Sequence, residues 1–187
     1  ALIIFLPENI HEYYEAYNAF KQIRQPKDAI SAGNYMITMN AGICPAFKHQ
    51  YIGNAHAEGG LIAKAAIDAC IDACMDGEAD AMCTAPIAKY AMQLAKLSIF
   101  GHTEYLAMRS NSAHVIMVLA SKNLRVALQS IHIPISEVPN MINKDSVFNM
   151  LVNLNRELHH RLKIEKPRIA VLGLNPHAGE EGHIGRE

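Results

Sequence analysis

The chain has no excess of charge of either sign. Seventeen Lys and Arg stand against eighteen Asp and Glu in 187 residues, so the basic footprint of a nucleic-acid-binding domain is missing and bulk charge names no partner. Long apolar runs are missing too. The longest, such as VIMVLA (residues 115–120) and IAVLGL (residues 169–174), are strand-length and far below the roughly 20 residues that span a bilayer. The opening ALIIFLP lacks a basic n-region and is cut short by Pro7 and Glu8, which argues against a secretion signal and makes a cytoplasmic location the expectation. The four cysteines form neither a disulfide framework nor a zinc knuckle: Cys70 and Cys74 are one helical turn apart, while Cys44 and Cys83 stand alone. Buried free thiols are the expectation, with Cys83, just before a polar loop, the one candidate for reactivity. No repeat, low-complexity tract or linker interrupts the chain, which reads as one domain or part of one larger unit.

What is present is a half-apolar chain (50% hydrophobic), long enough to bury a sizeable core. The stretch NIHEYYEAYNAFKQI (residues 9–23) predicts a helix capped by Asn9. GNYMITMN (residues 33–40) predicts a strand, and residues 41–60 read mainly as loop. Apolar positions Leu61, Ile62, Ala65, Ala69, Cys70 and Ala73 recur at three- and four-residue steps, predicting a helix over 58–75 stopped by Gly77. ADAMC (residues 79–83) predicts a short buried strand that breaks at Pro86, and a second helix is expected over 88–97. HVIMVLAS and LRVALQSIH, joined by Lys122 and Asn123, predict a hairpin. Ser136 and Glu137 begin a polar connection. A helix is expected over 144–162, with Val147, Met150, Leu151, Leu154 and Leu158 on one face, and then a buried strand in PRIAVLGLNP. Strands alternating with helices, plus the hairpin, indicate an α/β fold with a mixed sheet.

Three polar clusters fall where strands should end: TAPIAK, SIHIP and NPHAGEEGHIGRE. In open α/β sheets that is where ligands sit. His132 and His177 could each be a structural histidine, or together hold a divalent metal through neutral imidazoles. His183 reads as a solvated loop residue, and His159 with His160 as complements of a helix dipole. Lys89 could meet a phosphate or carboxylate, or be a solvated helix lysine. Glycines 179, 182 and 185 allow close backbone approach to an anion but form neither a Walker loop nor a dinucleotide fingerprint. In FGHTEYLA, His102 and Thr103 are good hydrogen-bonding partners for phosphate or hydroxyl oxygens, while Glu104 suits the first turn of a following helix.

Taken in order, TAPIAK, FGHTEYLA, RVALQSIHIPISEVP and LGLNPHAGEEGHIGRE resemble the 4-hydroxythreonine-4-phosphate dehydrogenase family of vitamin B6 biosynthesis. The resemblance covers residues 53–187, the central part of the dehydrogenase α/β unit with its substrate and metal motifs, and is poor over 1–52. It implies an isocitrate/isopropylmalate dehydrogenase-like α/β/α architecture, incomplete in this chain, and a homodimer with a shared active site. It also implies NAD (or NADP), a divalent metal (Zn, Mg, Mn or Co) and a small phosphorylated substrate, 4-phosphooxy-L-threonine. By that resemblance His132 and His177 fall on two of three metal histidines, His102 and Thr103 on the substrate-binding pair, and Lys89 on the lysine of the TAPI-x-K loop; no catalytic residue is named. Three departures stand out. The family's GDPAGIGPE-type opening is absent and Ala88 replaces the usual Asn or His, while the third metal histidine and the later substrate Lys, Asn and Arg have no counterpart up to Glu187. A sibling dehydrogenase acting on erythronate or threonate 4-phosphate, a non-catalytic metal- or phosphate-binding relative, and a metal-dependent hydrolase using Glu180 or Glu181 as base are the alternatives.

Overall fold

A helix that is apolar on two sides must be covered on two sides, and the helix α1 (Ala57–Met75) is placed accordingly. One row, Ile67 and Ile71, packs with Met92, Ile99 and Tyr105 as the main buried cluster. A second row, centred on Ala65, packs with Cys44, Phe5, Ile62, Ala66 and Ala69. The computed structural model describes residues 2–7, 9–12, 21–23, 25–26, 34–39, 44–99 and 101–187. They divide into two units, Ala1–Ser112 and Ala113–Glu187, each described by itself.

In the first unit, β1 (Leu2–Pro7), β2 (Lys21–Ile23) and β3 (Asn34–Met39) form a parallel sheet in the order β1-β3-β2. Leu2 is paired with Asn34 and Lys21 with Tyr35. The opening apolar run is thus a strand. The helix expected over 9–23 is not formed at its ends: residues Ile10–Glu12 make a single 3-10 turn and Lys21–Ile23 a strand, while 13–20 lie outside the described residues. The side chain of Asn9, expected as a helix cap, is engaged elsewhere. Its amide instead pairs with the backbone of Phe47, donating to the carbonyl at 2.7 Å and accepting from the N–H at 2.9 Å, a tie across 38 residues that local pattern cannot reveal.

Among the described residues of this unit, the α-helices α1, α2 (Lys89–Leu94) and α3 (His102–Arg109) share one way of stopping. After α1, Gly77 turns left-handed (φ 72) and the N–H of Glu78 reaches back to the carbonyl of Ala73 at 2.8 Å. Lys96 after α2 and Asn111 after α3 do the same with φ near 50, satisfying the last carbonyls of each helix. Gly60 lets α2 approach closely, since a Cβ there would sit 2.5 Å from the Ala91 carbonyl oxygen. The expected strand over 79–83 is not one. That segment has no ladder partner among the described residues, and Asp80, Ala81 and Cys83 are exposed.

In the second unit, β4 (Met117–Ala120) and β5 (Arg125–Leu128) pair antiparallel, as the turn at Lys122 and Asn123 predicts. The Ser121 N–H closes the turn on the Leu124 carbonyl at 2.8 Å. A 3-10 turn over Ile135–Glu137 leads into the one-turn α4 (Val138–Met141). Next comes α5 (Lys144–His160), whose start is fixed by a reciprocal cap between Asn143 and Ser146. The buried strand expected in 167–176 is absent: the segment has no ladder among the described residues, and Leu172 is 87% exposed. An α/β chain with two separate small sheets, one parallel and one antiparallel, is what forms. Among the described residues, no helix is long and apolar enough to cross a membrane.

Candidate functional site

The GHTE segment is the first turn of α3. Gly101 is the extended residue before the helix and carries no side-chain cap, and the turn it opens lies at the positive end of the helix dipole. Glu104 curls back over this end, its Oε2 lying 2.7 Å from where a Cβ on residue 101 would be. His102 and Thr103 are half-buried. The His102 Nε2 is shut off from solvent and has no hydrogen-bond partner, a state that costs about 1–3 kcal/mol unless something fills it.

Lys89 is the first residue of α2 and is exposed. The preceding residues Pro86, Ile87 and Ala88 line a cavity of about 210 Å³ together with Tyr51, His56 and Gly59. The Tyr51 hydroxyl beside it is a second buried, unpartnered polar atom. Burial pushes that phenol up from its ordinary range, and the Glu58 carboxylate adds to the shift.

In the second unit, His132 and His177 share a backbone peculiarity. Both occupy the left-handed region, with φ 56 and 53, which costs a non-glycine residue of order 1–3 kcal/mol and concentrates at functional sites. His177 opens a run of six residues with left-handed φ, His177 to Gly182, closed by the N–H of Ile184 on the Gly179 carbonyl at 3.1 Å. Gly179 is buried inside the turn. Both histidines are exposed. Three residues before His132, the Gln129 Oε1 is the third buried polar atom without a partner. The described residues contain no cluster of three or more His, Cys, Asp or Glu able to hold a metal. His183 lies exposed outside the left-handed run.

Sequence reasoning missed the polar network behind the GHTE turn. Tyr105 and Arg109 of α3 both donate to Asp68 of α1, and Arg109 reaches Asp72 at 2.6 Å. The only signal in the sequence is the four-residue spacing within each pair, too common to single out.

A model of the family described as pyridoxal phosphate biosynthetic protein PdxA matches residues 3–187. The chain belongs to the PdxA family. Among curated relatives, the 4-hydroxythreonine-4-phosphate dehydrogenase of Pseudoalteromonas translucida (strain TAC 125) is 50% identical over 107 residues, 57% of this chain and 32% of that protein. The enzyme of the same name from Sulfurihydrogenibium sp. (strain YO3AOP1) is 34% identical over 167 residues, 89% of this chain and 50% of its own. The crystal structure of 4-hydroxythreonine-4-phosphate dehydrogenase from Klebsiella pneumoniae superposes with a TM-score of 0.78 at 27% identity, covering 98% of this chain and 56% of that one. The matched stretches of this PdxA-family chain cover from about a third to just over half the length of these relatives, and its two sheets are consistent with an incomplete α/β fold.

Proposed function

We propose that the protein oxidises 4-phosphooxy-L-threonine with NAD and a divalent metal. In that reaction the substrate's 3-hydroxyl loses its proton and carbon 3 loses hydride to NAD. The resulting 2-amino-3-oxo-4-phosphobutanoate releases CO2 to leave 3-amino-2-oxopropyl phosphate, on the route to pyridoxal 5'-phosphate. The observation that carries the reading is the buried, unpartnered Nε2 of His102 in the first turn of α3, within a chain matched to PdxA over 3–187.

The residues divide the work by chemistry. His102 and Thr103 bind the substrate's oxygens at the N-terminus of α3, where the helix dipole favours an anionic ligand. Lys89, first in α2 and exposed, supplies a mobile positive charge suited to phosphate or carboxylate. His132 and His177 fit part of a metal site: two imidazoles, each held on a left-handed backbone position, are suitable donors for Zn, Mn or Co. A bound metal supplies Lewis acidity that lowers the cost of taking the proton from the hydroxyl. None of the described residues is assigned to NAD. The family resemblance also supports a cytoplasmic homodimer.

The test is NADH formation from 4-phosphooxy-L-threonine in the presence of added divalent metal. His132→Ala and His177→Ala should each abolish it, and His102→Ala should weaken substrate binding. Full activity in both metal-ligand variants would overturn the metal assignment. Oxidation of erythronate 4-phosphate in place of 4-phosphooxy-L-threonine would overturn the substrate.

A further inference from the structure

The side chains of a helix point wherever its rotation sends them: one residue of slip turns a side chain by about 100° and moves it about 1.5 Å along the axis. His102 and Thr103 can face a substrate only if α3 is held in both rotation and height. Apolar packing is non-directional and does this poorly. The Tyr105 ring, three residues after His102, sits in the main core cluster with Ile67 and Ile71, but the ring alone leaves rotation soft.

Directional bonds supply what packing lacks. Asp68, on the same helix as Ile67 and Ile71, accepts from the Tyr105 hydroxyl at 2.5 Å, from the Arg109 guanidinium, and from Lys64 Nζ at 2.5 Å. The second nitrogen of Arg109 binds Asp72 at 2.6 Å. Tyr105 and Arg109 are one turn apart on α3, and Asp68 and Asp72 are one turn apart on α1, so the two helices are joined by two rungs in register. Lys64 Nζ also lies 5.8 Å from the centre of the Tyr105 ring, so its charge sits over the rung rather than in bulk water. The rungs run through groups with residual side-chain exposure, 22% for Asp68 and 28% for Arg109. Pairs of that kind add little to global stability, and their effect is on geometry.

We propose that Asp68, through Tyr105 and Arg109, is a positioning residue for the substrate-binding turn at His102 and Thr103. The proposal rests on the reading of His102 and Thr103 as substrate-binding residues, and its test separates the two. Asp68→Asn and Tyr105→Phe keep size and packing while weakening the rung. With 4-phosphooxy-L-threonine as substrate, each should raise KM about ten-fold while kcat changes less than about three-fold. The imidazole NMR signals of His102, assigned by their loss in His102→Gln, should shift in both variants without substrate present, while those of His159 and His160, at the end of α5, stay in place. If His102 signals are unmoved in both variants, the positioning role is wrong, whatever the activity. If they move but 4-phosphooxy-L-threonine is not turned over even by the unaltered protein, positioning stands and the substrate reading fails. Should Asp68→Asn not fold, Tyr105→Phe, which removes one oxygen and no packing, carries the same test.

Discussion

Gly59 and Gly60 are adjacent in α1, yet replacing each by alanine should change stability with opposite signs. Alanine is favoured over glycine in a helix by about 0.8–1.0 kcal/mol, because the glycine backbone has more freedom to lose. At Gly59 an added Cβ meets nothing within 4 Å, so Gly59→Ala should collect most of that gain, about 0.5–1 kcal/mol. At Gly60 the same atom would lie 2.5 Å from the carbonyl oxygen and 2.8 Å from the carbonyl carbon of Ala91, and 3.2 Å from Ala95 Cβ. The first two are backbone atoms and cannot swing away, so α2 must move off α1. Overpacking of that kind costs about 1–3 kcal/mol, and with the backbone of Ala91 unable to give, a mid-range cost of about 2 kcal/mol outweighs the helix-propensity gain of about 1 kcal/mol and leaves a net loss of about 1 kcal/mol. The two variants should therefore differ by about 2 kcal/mol, read as opposite displacements of the urea midpoint at unchanged m-value. A Gly60→Ala protein as stable as Gly59→Ala would mean that the two helices do not touch there, and the packing of the first unit would have to be redrawn.

The glycine turn at His177 and the thiols of the chain carry three more tests. Gly179→Ala, at φ +78 and with a Cβ placed 2.7 Å from the Gly185 carbonyl oxygen, should open the left-handed turn that carries His177. Divalent-metal affinity, measured by calorimetry, should fall at least ten-fold, and an unchanged affinity would show that the turn does not present a ligand. Among the thiols, burial and the neighbouring Cys74 push Cys70 up to about 11 from an ordinary 9.0, and burial also raises Cys44, whereas Cys83 is exposed. At a pH of about 8, Cys83 should react first with a thiol reagent and Cys70 only slowly; equal rates would contradict the burial of α1. The sign of the linkage is that of a raised pKa: folding favours the neutral Cys70 thiol. Its contribution is whole below pH 9.0 and is lost as the pH rises through about 11. Cys70→Ala should flatten that alkaline loss of stability.

Elements specified by neighbours in sequence were legible in it. The three- and four-residue apolar rhythm placed α1 and α5 to within one or two residues, and the turn at Lys122 and Asn123 placed the β4–β5 hairpin. Elements specified by distant partners were not. ADAMC and IAVLGL have strand composition, but a strand exists only where a second strand meets its N–H and C=O groups, and neither segment has such a neighbour among the described residues. Lys21–Ile23 reads as the tail of a helix and is a strand because β3 is there to pair with it.

The site divides along the same line. Residue chemistry marked His102, Thr103, Lys89, His132 and His177 as candidates beside plainer readings, and the resemblance carried by motif order is what implied their roles. Only tertiary structure decided that the His102 Nε2 is buried without a partner, that both candidate metal histidines sit on left-handed backbone, and that α3 is pinned to α1 through Asp68. The inter-helix hydrogen bonds join groups 37 to 41 residues apart in the chain, and no local pattern encodes which of them will meet.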